Sequence, residues 1–250
     1  MVRISMDGAV LSHLTKIADA VSDEICIKIN EELMKVIAID PSLVSAAYVT
    51  IDGTMLQEYE VDEPLEVGLT VQELKKFSRF VKTKDIVTLE YLASEGALKF
   101  SVHGIKYVMP IITVDESRKR ELNFEYNNYA VLSAAELSKA IQLAKAVSKI
   151  VSSTIKIKIS PEGLIIESKG EGARSVRFEK PATELNDLNA SETVSGEFLV
   201  DHLEKIIKAV KESTLVTVKL ETGGPLCLEF EVKGGTGKVT YYQAPFASEE

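Results

Sequence analysis

Lys84–Ile111 and Ser213–Pro245 spell the same succession twice: an alternating strand, a turn, a second strand, a glycine turn, a third strand and a closing proline, Pro110 or Pro245. The first copy reads KDIVTLEYLASEGALKFSVHGIKYVMPI and the second STLVTVKLETGGPLCLEFEVKGGTGKVTYYQAP, each just after an amphipathic segment. Self-similarity of this kind means that one supersecondary unit is built repeatedly and buries its apolar face against its own copies. Strict alternation points to antiparallel strands with one face buried. The chain therefore reads as α+β. One helix plus several antiparallel strands occurs four times, giving two similar domains of antiparallel sheet with two helices each.

The remaining elements fit that frame. In Asp7–Val21 the residues Val10, Leu11, Leu14, Ile17, Ala18 and Val21 form the stripe of a first helix. Ile25–Ile29, Leu33–Ile39 and Val44–Ile51 alternate as strands, and Gln57–Val61 and Leu65–Leu69 follow. Thr70 and Glu73 stand as a capping box before a second helix with Val71, Leu74, Phe77, Phe80 and Val81 on one side. Ser133 and Glu136 repeat the box before a third helix, which carries Leu137, Ala140, Ile141, Ala144 and Val147. Thr154–Ile159, Gly163–Glu167 and Arg174–Phe178 read as strands, Asn186–Glu192 as a polar patch, and Glu197–Lys211 as a fourth helix. Between the halves, Thr113–Asn128 has no helical period and ends with Leu122, Phe124 and Tyr126 alternating with polar residues, as an extended connector would. The boundaries are domains at 1–116 and 129–250, joined by a connector at 117–128.

Composition excludes several classes. An apolar fraction of 45% is ample for a core, and no apolar run approaches the roughly 20 residues that span a bilayer. The start, MVRISMDG, is too polar for a signal peptide, so the expectation is a soluble protein inside the cell. Cys26 and Cys227 fall in strand-like runs as buried thiols, and no zinc spacing exists. No catalytic set assembles: His13, His103 and His202 lack motif partners, and Glu31 and Glu32 sit in a turn without apolar context. Gly234–Lys238 resembles a phosphate loop, but Val239 replaces the hydroxyl residue and no helix follows, so it reads as a hairpin turn. The expectation is a protein with no enzymatic activity, no cofactor and no metal.

The formal charge of −9 argues against nucleic acid only if the charges are mixed. They are not. Lys16 lies on the first helix, Lys75, Lys76, Arg79 and Lys82 on or after the second, Lys139, Lys145 and Lys149 on the third, and Lys205, Lys208 and Lys211 on the fourth. The acids gather in turns, sheet edges and tails, including Glu31, Glu32, Asp52, Glu58, Glu60, Asp62, Glu63, Asp115 and Glu116. A wet helix face explains each helix alone; four basic helices on an acidic chain make a positive surface possible.

Asp40-Pro41-Ser42-Leu43-Val44 after a strand, Pro225-Leu226 opening one, Tyr241-Tyr242-Gln243-Ala244-Pro245-Phe246 near the end and the alternating connector together resemble the DNA polymerase sliding clamp of the archaeal and eukaryotic type, proliferating cell nuclear antigen. The resemblance covers essentially the whole chain. It implies the DNA-clamp fold, three subunits in a pseudo-sixfold ring around double-stranded DNA, and sequence-independent backbone contacts by the helix cations named above. It implies a processivity factor that tethers DNA polymerase, clamp loader, flap endonuclease and DNA ligase through a short peptide motif. The peptide pocket would use Ile39, Leu43, Ala46, Leu122, Phe124, Pro225, Tyr242, Ala244 and Pro245. Subunits would join by edge strands, Lys106, Tyr107, Val108 and Met109 on one side and Ser175, Val176, Arg177 and Phe178 on the other. The location would be the cytoplasm of an archaeal cell, or the nucleus of a eukaryotic one. The connector departs from the pattern by its basic run Arg118-Lys119-Arg120 and its lack of prolines, and the tail by Phe246. These departures leave open a homotrimer or one member of a heterotrimer. The alternative function is a diverged ring subunit or peptide-binding adaptor with little DNA role.

Overall fold

The computed structural model describes residues 1–147, 153–170, 174–212 and 214–246. The chain divides into two compact units, Met1–Glu121 with Glu231–Val239, and Leu122–Phe230 with Thr240–Glu250. The first unit contains β1 (Val2–Asp7), α1 (Gly8–Val21), β2 (Glu24–Ile29), β3 (Leu33–Ile39), β4 (Ser45–Asp52), β5 (Glu58–Val61), β6 (Leu65–Thr70), α2 (Val71–Ser78), β7 (Ile86–Leu92), β8 (Ala97–Val102) and β9 (Ile105–Pro110). After it come β10 (Tyr129–Ser133), α3 (Ala134–Val147), β11 (Thr154–Ser160), β12 (Gly163–Lys169), β13 (Ser175–Pro181), β14 (Asp187–Asn189), β15 (Val194–Leu199), α4 (Val200–Ala209), β16 (Leu215–Lys219), β17 (Leu226–Glu231) and β18 (Gly237–Gln243).

Each helix follows a strand and precedes others, so the unit that repeats four times is β-α-β-β-β. In the first unit one sheet runs β5-β1-β7-β8-β9 and the other strands run β4-β3-β2-β6; in the second, β13-β12-β11-β15 forms one sheet and β14-β10-β16-β17-β18 the other run. The described strand pairings are antiparallel, and the alternation expected from the sequence is their inward and outward faces. On β1, Val2, Ile4 and Met6 are buried, while Arg3 points out to donate to Glu58 at 2.9 Å and Glu90 at 3.1 Å.

Four strands escape the sequence reading: β14, which lies in the expected polar patch Asn186–Glu192, and three that lie directly before a helix. β1 and β10 are short with polar ends. β15 includes Glu197, Phe198 and Leu199, which the reading assigned to the last helix; the helix starts at Val200 instead. Phe198 and Leu199 fit a helical stripe with Leu203, but Phe198 pairs across from Ile155 and is fully buried as a strand residue. A Cβ at Gly196 would sit 2.7 Å from the tip of the Phe198 ring, so a larger residue there would require that buried ring to shift. The second helix ends at Ser78, before Phe80 and Val81. The chain leaves by a turn in which Phe80 N–H donates to Phe77 O, and Phe80 is 63% exposed rather than packed. Cys26 and Cys227 are buried. The Gly234-Gly235 stretch is a turn between β17 and β18, with both glycines at positive φ.

The helix starts are held by backbone. Gly8 N–H donates to Asp85 O and Val71 N–H to Asp23 O, so in the first unit each helix begins on the loop after its partner. Ala134 to Thr214 and Val200 to Ser153 repeat the pairing in the second, all four bonds being 2.7–2.8 Å. Of the two expected capping boxes only one closes. Glu136 N–H donates to Ser133 Oγ at 3.3 Å, and Ser133 N–H donates back to Glu136 Oε2 at 3.2 Å. Thr70 makes no side-chain cap, and the Glu73 carboxylate, which would close the box from the other side, is held by Lys76 and the Tyr107 hydroxyl. Ser133→Ala should therefore cost about 1 kcal/mol in urea unfolding, and Thr70→Ala only a few tenths.

Candidate nucleic-acid interface and partner surface

The cations sort into two groups. Lys75 donates to Asp19 at 2.7 Å, tying α2 to α1, and Lys76 to Glu73 at 2.6 Å. In the second unit Lys145 pairs with Asp201 at 2.9 Å and with Glu204, which also accepts Lys208 at 2.8 Å. Hydrogen bonds from Lys145 and then Lys208 hold the Glu204 carboxyl below the usual carboxylate range. Asp19, Glu73, Asp201 and Glu204 thus sit on the same helices as the basic residues, and the separation of charge is less complete than the sequence suggests. Asp19 and Lys75 lie 56 positions apart, so no local spacing reveals their pairing.

Lys16, Arg79, Lys82, Lys139, Lys205 and Lys211 are exposed and make no ion pair among the described residues. Arg79 and Lys82 stand past the end of α2 and Lys211 past the end of α4, so these three extend from loops rather than helix faces. Lys149 lies outside the described residues.

The second unit brings an aromatic cluster together. The Phe124 ring meets Tyr242 edge-on at 5.3 Å, and Tyr126 stacks on Tyr242 at 6.5 Å and 15°. Tyr126 donates its hydroxyl to Pro225 O at 2.9 Å, which fixes the ring against the start of β17. Tyr242 is buried, Phe124 is 40% exposed, Pro225 is half-buried, and Ala244 and Pro245 are exposed. The stretch 243–246 is tied down: Gln243 Nε2 donates to Leu199 O and Phe246 N–H to Glu197 O. Tyr126 was not among the expected pocket residues, although its place two positions after Phe124 signals the same face of an extended chain.

In the first unit Ile39 and Ala46 face each other across β3 and β4 and are buried. Leu43 tips the loop between those strands, 56% exposed and at φ 59°, a conformation that leucine rarely adopts. Asp40 holds that loop, accepting from Ser42 Oγ at 2.5 Å, while its carbonyl accepts Leu43 N–H at 2.8 Å. The loop therefore presents one apolar side chain on a fixed turn.

Two strands end their sheets. β9 closes the five-stranded sheet of the first unit, with Ile105 45% and Val108 47% exposed. Tyr107 leans inward, its ring 5.8 Å from Phe77 and its hydroxyl on Glu73. β13 ends the four-stranded sheet of the second unit; Ser175, Arg177 and Glu179 are exposed, and Val176 and Phe178 half-buried.

Residues 2–107 match the family model of the N-terminal domain of proliferating cell nuclear antigen, and residues 122–246 match that of its C-terminal domain. The chain belongs to the proliferating cell nuclear antigen family. The function of that family's relatives is in their name: the DNA polymerase sliding clamp of Archaeoglobus fulgidus is 31% identical over 98% of both chains, and that of Methanosarcina barkeri 26% over 98% of both. Among solved structures, A. fulgidus PCNA with the C-terminal region of FEN-1 bound matches with a TM-score of 0.91 at 29% identity, covering 100% of both chains. PCNA from Thermococcus kodakaraensis matches in fold with a TM-score of 0.88 at 22% identity, over 98% of this chain and 100% of that one. Among the described residues, no helix is long and apolar enough to cross a membrane.

Proposed function

We propose that this chain, with a connector at 117–128 between domains 1–116 and 129–250, is one subunit of a three-membered ring that encircles duplex DNA in the cytoplasm of an archaeal cell. The observation that carries the ring is one sheet-edge strand in each unit, β9 with exposed Ile105 and Val108 in the first and β13 in the second. Edge strands of this kind join other chains unless something covers them. Residues Lys106 to Met109 of one subunit would meet Ser175 to Phe178 of the next. Inside the ring, Lys16, Arg79, Lys82, Lys139, Lys205 and Lys211 would contact phosphates without reading bases, with Lys75, Lys76, Lys145 and Lys208 adding what their acidic neighbours leave. Topology would then hold the ring on DNA while weak, salt-sensitive contacts let it slide.

Partner enzymes would dock by a short peptide with aromatic and aliphatic anchors. Phe124, Tyr242, Pro225, Ala244 and Pro245 would provide the surface in the second unit, with Leu122 beside them and Ile39, Leu43 and Ala46 in the first. The FEN-1 segment bound to A. fulgidus PCNA supports a flap endonuclease as one such partner, and DNA polymerase, clamp loader and DNA ligase belong to the same proposal. The four helix acids favour a second reading, an adaptor subunit with little DNA role. Light scattering on a sizing column across a dilution series tests the ring. A mass of three chains supports it, and a monomer at every concentration overturns the homotrimer. Stimulation of a polymerase on primed circular DNA then separates clamp from adaptor.

A further inference from the structure

The basic run of the connector has no part in the proposed DNA surface. A short turn at Glu116–Arg118, capped by Asp115 accepting Ser117 N–H at 2.9 Å, turns Arg118 onto the first unit. The Arg118 side chain is 15% exposed, and its guanidinium donates to four places at once: Glu24 Oε2 at 2.8 Å, Ser22 Oγ at 2.7 Å, Asp23 Oδ1 at 2.5 Å and, at 3.4 Å, the carbonyl of Ile39. Those partners are the end of α1, the start of β2 and the end of β3. Lys119 lies between Glu66 at 2.8 Å and Glu116 at 2.6 Å. Glu121 accepts Lys35 at 2.5 Å and Lys28 at 3.4 Å, and Tyr48 donates its hydroxyl to Arg120 O at 2.8 Å. Exposed ion pairs singly contribute little, but a shielded guanidinium fork on several acceptors fixes geometry as well as charge.

The other end is anchored within the second unit. The Glu221 carboxylate accepts Asn127 N–H, Asn128 N–H at 3.1 Å and Asn128 Nδ2 at 2.9 Å, next to the Tyr126–Pro225 bond. Between the anchors lie 122–125, the span that carries Phe124. Phe124 lies three positions after Glu121, a reach of no more than about 11 Å.

We propose that Arg118, assisted by Lys119, is a positioning residue for the partner-peptide surface: it latches the connector's entry to the first unit, so that the span bearing Leu122 and Phe124 is held ready for a peptide with aromatic anchors. This rests on the reading that such a peptide docks at Phe124 and Tyr242. A peptide that meets an ordered connector need not order it on binding, and its apparent affinity rises with the fraction of chains already in that state. The latch is ionic, so salt weakens it and peptide affinity falls with it, even for an uncharged peptide.

The probe is a capped, net-neutral, fluorescently labelled peptide with two aromatic residues and one aliphatic anchor, followed by anisotropy as the Debye length shrinks from about 30 to about 3 Å. Arg118→Ala is expected to bind about tenfold more weakly at low salt and to lose most of the salt dependence. Arg118→Lys keeps the charge without the fork and stays at least about threefold weaker than the parent chain. Glu24→Gln, which removes one acceptor and leaves Arg118 in place, falls between them. Amides of 117–121 should exchange faster in Arg118→Ala while those of β2 and β3 do not change, which separates loss of the latch from loss of the fold. Arg118→Ala binding as tightly as the parent, with the same salt slope, overturns the latch and leaves the docking site standing. A parent chain that binds no such peptide, or a Tyr242→Ala variant that binds as well as the parent, overturns the docking site and the latch together.

Discussion

Reversing Arg79, Lys82, Lys139 and Lys205 to glutamate should abolish stimulation of a polymerase on primed circular DNA while leaving the fold and the oligomeric mass intact. All four side chains are exposed and make no ion pair among the described residues, so the substitutions break nothing within the chain. Each phosphate contact contributes about 0.9 to the slope of log affinity against log salt, and a ring would present these positions three times over. Losing them should reduce stimulation more than about a hundredfold at moderate salt and flatten its salt dependence. The matched control is Lys76→Gln with Lys208→Gln. These two changes neutralise charge where the quadruple variant reverses it at four positions, so the field at the helix surface changes less, and stimulation should stay within about threefold. Full stimulation by the quadruple variant would overturn the DNA-lining assignment and favour the adaptor reading.

The second large effect belongs to the sheet edge. Ile105→Asp with Val108→Asp should convert a three-chain particle into monomers. Burying an apolar side chain contributes about 1.5–3 kcal/mol, and two are lost at every junction. Burying the new carboxylates adds a further cost, because strand pairing offers them no partners. Together these weaken each junction by at least about a thousandfold. Both side chains are about half exposed in the chain itself, so circular dichroism should not change. Light scattering gives the answer directly: a particle that keeps three chains would move the junction away from β9.

The repeated unit was legible because strand and helix periods alternate in the same order wherever the letters recur. What escaped were the short β14, set in a polar stretch, and three strands placed directly before helices. In Val194–Leu199 the apolar residues suit both periods, and only the pairing of Phe198 opposite Ile155 decides between them. The second helix looked longer because Phe80 and Val81 continue its stripe, although the turn after Ser78 throws Phe80 into solvent. For the functional surfaces, the cations could be read off helix spacing, but their neutralisation by Asp19 and Glu204 depends on contacts between helices far apart in the chain. The basic connector looked like a departure from pattern. Its meaning lies in Ser22, Asp23, Glu24 and Ile39, which are scattered in sequence and gathered by the first unit.

The backbone bonds that start the four helices have a consequence for how this architecture tolerates change. Asp7, Thr70 and Leu199 precede α1, α2 and α4 without capping through their side chains, and leucine has no group with which to do so. The first amide of each helix is satisfied by a carbonyl from its partner's loop, and every residue has a carbonyl. The junction that defines each helix pair is thus written in backbone atoms that no substitution short of proline removes. Apart from Gly8, where a Cβ would meet Lys82 O at 2.2 Å, the side chains around it can drift, and a PCNA only 22% identical superposes on this chain with a TM-score of 0.88.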